Sequence, residues 1–208
     1  MKIYDYGVTG DKRPYLLMEY LEGLPMDEFV KERWLGLGEK CHILTQIARA
    51  LQVIHQNGII HRDIKPANIH IDEHLHTTLM DFGIARLHQS PTSSSSSNYL
   101  WGTPAYLAPE TLEKDVQPTP VSDLFSFGVI AYELLIGKRP FAGESIAEVT
   151  RNIQTIDPPW PCELHSGFPV ELDRIIRCLL QKDPARRAVD LEEVIQTLRK
   201  LTRRLTHR

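Results

Sequence analysis

The run His61–Asn68, HRDIKPAN, holds the densest chemistry in this chain: a carboxylate at Asp63, an ammonium at Lys65 and a carboxamide at Asn68. Asp81-Phe82-Gly83 and Ala108-Pro109-Glu110 follow downstream. Carboxylate and carboxamide oxygens ligate hard divalent cations such as Mg2+, and an ammonium balances the charge of a phosphoryl group. A loose phosphoryl-transfer transition state needs positioned charge more than a strong base. These residue types suit metal-assisted chemistry on a phosphoryl group.

The elements around them must hold these loops in place. Ile3–Tyr6 and Tyr15–Glu19 read as two short strands joined by a Gly/Asp/Pro turn region, and Leu24–Pro25 ends the second. Met26–Trp34 reads as a short helix, with Gly36 and Gly38 closing it. Lys40–Asn57 carries Ile43, Leu44, Ile47, Leu51 and Ile54 at intervals of three and four, one stripe on a helix that Gly58 closes. Two small strands, Ile69–Ile71 and Thr77–Met80, flank a polar turn. Ser122–Ile136 is apolar nearly all round and is predicted to be a buried helix stopped by Gly137. Glu144–Ile153, Glu171–Leu180 and Asp190–Arg204 complete the helices, with Asp190 and Glu193 as a capping box for the last. Ser90–Asn98, with serine at every position from 93 to 97, buries too little apolar surface to order itself. The expected class is α+β, mostly α, with two N-terminal strands and the chemistry on loops between helices.

Composition excludes several classes. With 42% apolar and 25% charged residues, the 208-residue chain is an ordinary globular sequence. A formal charge of −3 gives no argument for nucleic acid or a membrane surface as partner. Three scattered cysteines, Cys41, Cys162 and Cys178, fit a reducing compartment, and no leader or membrane-spanning segment is visible. The expected location is cytoplasmic. His74 and His76 resemble a ligand pair only in spacing and read as solvated loop histidines.

PYLLMEYLEG, HQNGIIHRDIKPANI, MDFGIAR, GTPAYLAPE and DPARR together resemble the C-terminal lobe of a protein kinase, most closely the bacterial, eukaryotic-like serine/threonine kinases. The resemblance runs from about residue 3 to about residue 200. It implies a kinase-like fold over residues 1–208, with 1–20 the end of the N-lobe and the hinge, and 21–208 the C-lobe. It also implies transfer of the ATP γ-phosphoryl group to serine or threonine hydroxyls of proteins, including the chain's own activation loop.

By the same resemblance, Asp63 orients or accepts the proton of the attacking hydroxyl, Lys65 sits beside the transferring group, and Asn68 and Asp81 hold Mg2+. Lys65 and Thr103 together point to serine/threonine acceptors. Met18 matches the gatekeeper, Glu19 and Leu21 offer backbone groups to adenine, and His70 stands where a large aliphatic floor residue is usual. His61 and Phe82 belong to the stack that aligns the lobes. Asp123 is expected to accept N–H bonds from the HRD loop, and Glu110 to pair with Arg187, the neighbouring Arg186 being the alternative. Arg62 before Asp63 implies control by loop phosphorylation, with Thr92, Ser95 and Ser97 as candidate sites.

The glycine-rich loop, the strand lysine and its glutamate partner are absent from these 208 residues, and Met1 falls inside what resembles the fourth N-lobe strand. Each charge-assisted contact is worth about 1.5–3 kcal/mol, so their loss is expected to cost several orders of magnitude in rate. Two orphan strands also expose an apolar face, from which instability or self-association is expected. Three readings stand: a kinase whose N-lobe lies upstream, a kinase-like binding module without phosphoryl transfer, and a lobe completed in trans by an N-lobe partner.

Overall fold

The computed structural model describes residues 2–81 and 104–206. Its centre is the most apolar of the long helices, α3, Pro120–Ile136, buried from Ser122 to Leu135 except at Glu133. Pro120 opens it at a position where a missing N–H costs nothing, and Gly137 closes it at φ 82°, a left-handed geometry that lacks a Cβ clash. Before α3 come α1, Met26–Glu32, and α2, Leu37–Gln56. After it come α4, Ile146–Thr155, α5, Pro161–Leu164, α6, Val170–Leu179, α7, Pro184–Arg187, and α8, Leu191–Thr206. α2 packs along α8 and against α3, and α3 also meets α6 and α7.

The α2 stripe is buried as its spacing predicts, with Ile43, Leu44, Ile47 and Leu51 at most 1% exposed. The helix begins at Leu37 instead of Lys40. Glu39 reaches back to accept the Gly36 N–H at 2.9 Å, so Gly36 caps the helix and Gly38 lies buried inside it. At α8 the predicted capping box is not made: Asp190 accepts the Glu192 N–H at 2.9 Å as a simple N-cap, not that of Glu193. α5 and α7 are single turns with proline at the start, too short to show a period.

Two sheets form. β1, Ile3–Val8, pairs antiparallel with β2, Pro14–Met18. Leu24–Pro25 does not end the second strand but forms its own, β3, which pairs with β4, Ile69–Ile71, itself paired with β5, Thr77–Leu79. Gly23 makes this entry possible. At φ 102°, with a Cβ falling 2.2 Å from the Ile71 carbonyl oxygen, no side chain fits there. The β1–β2 hairpin leaves Ile3, Tyr6, Val8 and Leu17 more than half exposed, an unsupported two-stranded unit. Among the described residues no helix is long and apolar enough to cross a membrane.

The approach of α3 to α6 depends on Gly128, where an added Cβ would lie 2.7 Å from Leu179 Cβ. Gly128→Ala is therefore expected to destabilise the fold by about 1–3 kcal/mol through overpacking, measured by urea unfolding; an unchanged midpoint would contradict the close packing.

Behind α7, Lys182 lies 3.8 Å from the Phe141 ring centroid and donates to the Ile153 carbonyl at 2.6 Å. Burial pushes its ammonium down from 10.5 to about 8, with Arg187 adding to the shift and Asp157 opposing it. Between those values the unfolded chain holds the proton that the folded chain has lost, so the fold gains stability there as pH rises. The stability of the wild type relative to Lys182→Met should thus be flat below pH 8 and climb towards 10.5. A flat difference across that window would refute the burial effect.

Candidate active site

The loop from His61 to Asn68 is pinned by apolar anchors. Ile64 is 2% exposed, and Ile69 and Ile71 of β4 are fully buried just beyond it. Pro66–Asn68 makes one 3-10 turn, closed by the Asn68 N–H on the Lys65 carbonyl at 3.0 Å. That turn folds Lys65 and Asn68 back onto Asp63. Asp63 Oδ2 meets Lys65 Nζ at 2.7 Å and accepts from Asn68 Nδ2 at 3.0 Å, while Nδ2 also donates to the Asp63 carbonyl at 2.7 Å. These bonds orient the carboxamide of Asn68, whose Oδ1 takes no donor from the described residues.

A buried carboxylate on α3 supports the loop from beneath. Asp123 accepts the His61 N–H at 2.8 Å and the Arg62 N–H at 2.9 Å, and its Oδ2 lies 2.8 Å from His55 Nε2. Arg62 sits at φ 69°, a left-handed conformation costing a non-glycine residue on the order of 1–3 kcal/mol. The two N–H bonds to Asp123 offset that cost and fix the turn that presents Asp63. His61 itself is 0% exposed. Its Nε2 donates to the Met80 carbonyl at 2.9 Å and its Nδ1 accepts from the Asp63 N–H at 3.4 Å, which defines one neutral tautomer. Burial lowers its pKa more than Asp123 and the Met80 bond raise it.

Met80 ties the second motif to the first. Its N–H donates to the Asn68 carbonyl at 2.8 Å while its carbonyl holds His61. Asp81 is the next residue, exposed and at φ 54°, so Asp81 follows directly on the segment bonded to Asn68. Asn68 and Asp81 offer the hard oxygen donors that Mg2+ prefers. Phe82, Thr92, Ser95, Ser97 and Thr103 lie outside the described residues.

Glu110 and Arg187 form a bidentate pair at 2.7 and 2.9 Å, settling the choice between the two arginines. Arg186 instead points to Asp183 and is exposed. Arg187 is 0% exposed, and its remaining donors reach the carbonyls of Gln181, Val121 and Lys182 at 2.9–3.1 Å. Phe125 lies beneath the guanidinium at 4.9 Å. Burial raises the Glu110 carboxyl, but Arg187 and Ser122 outweigh it and hold it below 4.5.

Met18 ends β2 opposite Ile3, and Glu19 donates its N–H to the Lys2 carbonyl at 2.8 Å. Glu19 and Leu21 are half-buried on the segment leading to β3. His70, on β4, pairs with Pro25, and its Nδ1 lies 3.4 Å from the Glu22 carbonyl. The segment between β2 and β3 is thereby tied to β4.

Sequence reasoning gave no role to four side chains, His55, Tyr106, Glu133 and Arg139. His55 gave no signal, since its partner Asp123 lies 68 residues away. Tyr106, inside GTPAYLAPE, donates to Glu133 Oε2 at 2.6 Å, and Arg139 Nε reaches Glu133 Oε1 at 3.4 Å. Together they close one wall of a groove of about 580 Å³ that opens from Lys65.

The described site is thus an Asp-Lys-Asn loop on a helical body, pinned by an α3 carboxylate and accompanied by a buried Glu–Arg pair. The chain belongs to the protein kinase domain family, whose profile matches residues 1–198. It is similar to the serine/threonine-protein kinase PknB of Mycobacterium leprae, 36% identical over 189 residues, covering 89% of this chain and 30% of the relative. It is also similar to PknL of Mycobacterium tuberculosis, 34% identical, covering 90% of this chain and 47% of the relative. Pkn1 of Myxococcus xanthus is 36% identical over 88% of this chain. The chain thus spans less than half the length of these curated relatives.

Proposed function

We propose that this chain is the catalytic lobe of a serine/threonine protein kinase that moves the γ-phosphoryl group of ATP to protein hydroxyls, its own activation loop included. The observation that carries the reading is the contact of Asp63 Oδ2 with both Lys65 Nζ, at 2.7 Å, and Asn68 Nδ2, at 3.0 Å. The two donors hold the Asp63 carboxylate in place, and that carboxylate orients an acceptor hydroxyl and takes its proton. Lys65 balances charge on the transferring group, and Asn68 and Asp81 would hold Mg2+. The metal supplies charge neutralisation on the phosphates.

Residues 1–20 serve as the end of the N-lobe and the hinge, and 21–208 as the C-lobe. Met18, Glu19, Leu21 and His70 line the adenine side. The exposed apolar hairpin is where an N-lobe partner or a second copy would act. Three free cysteines accord with a cytoplasmic setting.

The test is incubation with Mg-ATP, read by intact mass, of the chain alone and of the chain joined behind a segment supplying a glycine-rich loop and strand lysine. Phosphate on serine or threonine of the joined protein is the expected result. Nucleotide binding without any phosphate on the joined protein would favour a binding module and overturn the reading.

A further inference from the structure

The groove beside Lys65 has a charge pattern of its own. Its inner end is Lys65, whose ammonium touches the Asp63 carboxylate at 2.7 Å, and its outer rim is Trp34, 86% exposed. Two carboxylates line it among the described residues. Glu133 is fully engaged, one oxygen by the Tyr106 hydroxyl at 2.6 Å and the other by Arg139 at 3.4 Å. A cation entering beside it would meet the Arg139 charge. Asp27 stands in the first turn of α1, where free helix N–H groups already stabilise it.

The cations lining the groove are not all matched. Arg33 pairs with Glu39 at 2.8 Å, and Lys65 with Asp63. Lys31 has no carboxylate within ion-pair distance among the described residues. Among the described residues Lys40 meets only the Leu135 carbonyl, at 3.5 Å, and burial lowers its pKa. A half-buried ammonium without a counter-ion gains most from a carboxylate that enters and excludes water. Beside it, an exposed indole offers a flat apolar contact of the kind that anchors polypeptides.

Resting on the kinase reading above, we infer that this groove selects acceptor segments in which the serine or threonine is flanked by aspartate or glutamate and by an apolar or aromatic residue. The carboxylate meets Lys40 and Lys31, and the apolar side chain meets Trp34. Lys31 and Trp34 act as specificity residues; neither touches the reacting atoms.

The test measures binding, so it does not depend on transfer. Fluorescein-labelled peptides with a serine flanked by Glu, Asp and Phe, and their Lys/Arg charge-reversed versions, are titrated by anisotropy. The acidic peptide is expected to bind about fivefold or more tighter at low salt, with the preference collapsing when salt is raised severalfold. Lys31→Glu, on an exposed side chain that the fold does not need, should remove the preference, and Lys40→Met should weaken it. Trp34→Ala should weaken both peptides. Equal binding, binding of neither peptide, a preference for the basic one, or indifference to Lys31→Glu overturns the inference. Selective binding by a chain that transfers no phosphate leaves it standing and counts against the transfer reading instead. Transfer without charge selectivity does the reverse.

Discussion

Asp63→Asn is expected to lower phosphoryl transfer by about 10²–10⁴-fold, the usual contribution of a positioned acid–base group, while leaving thermal stability nearly unchanged. The asymmetry follows from the contacts. Asn68 Nδ2 donates to Asp63 Oδ2 at 3.0 Å and to the Asp63 carbonyl at 2.7 Å, and a carboxamide oxygen at position 63 accepts equally well. The loop is therefore retained. What the substitution removes is the negative charge that draws the hydroxyl proton and pairs with Lys65 at 2.7 Å. Measuring transfer and melting temperature on the same preparation separates the two effects. Transfer at the wild-type rate would remove Asp63 from the chemistry, and a large drop in melting temperature would make its role structural.

Glu110→Ala should be the most destabilising single change in the helical body, by about 3–5 kcal/mol. The reason is the state it leaves behind. Arg187 is 0% exposed and would keep three carbonyl partners, but its charge would have no anion. The paired substitution Glu110→Leu with Arg187→Met should recover much of the loss, because it removes the buried charge as well as its partner. The pH dependence has a definite sign. Glu110 is held below 4.5 in the fold, so its contribution is present above that value and is lost as pH falls through the lowered folded value. Urea unfolding at neutral and acid pH checks both statements. A double variant no more stable than Glu110→Ala would mean that specific geometry, and not charge burial, dominates here.

Such a pair also explains why the loop that ends at Glu110 can be rigid at this point. One carboxylate is bound by Arg187 from α7 and by the Ser122 hydroxyl from α3 at 3.0 Å. Three separate chain segments converge on it. The cost of desolvating two charges is recovered as fixed position, with every guanidinium donor placed.

The sequence by itself determined the motifs, the family likeness and most helices, because these signals are local. Asp63, Lys65 and Asn68 lie within six positions and fold onto one another through a single 3-10 turn. The α2 stripe and the apolar α3 carry their own period or composition. Capping was less legible: Gly36 and Gly38 read as a stop, yet Glu39 turns Gly36 into the start of α2. Leu24–Pro25 read as a strand end because two residues carry no alternation, and only pairing with Ile71 and His70 makes them a strand.

What the tertiary structure alone decided are the long-range partners. Nothing in the spacing selects Arg187 over Arg186 for Glu110, since α7 is one turn long and only packing turns one arginine inward. His55 and Asp123, or Tyr106, Glu133 and Arg139, meet because α3 runs through the centre and brings distant loops to its two ends. Local chemistry is written in neighbouring residues; electrostatic surroundings are set by whichever segments the core brings together, and a linear pattern does not encode that.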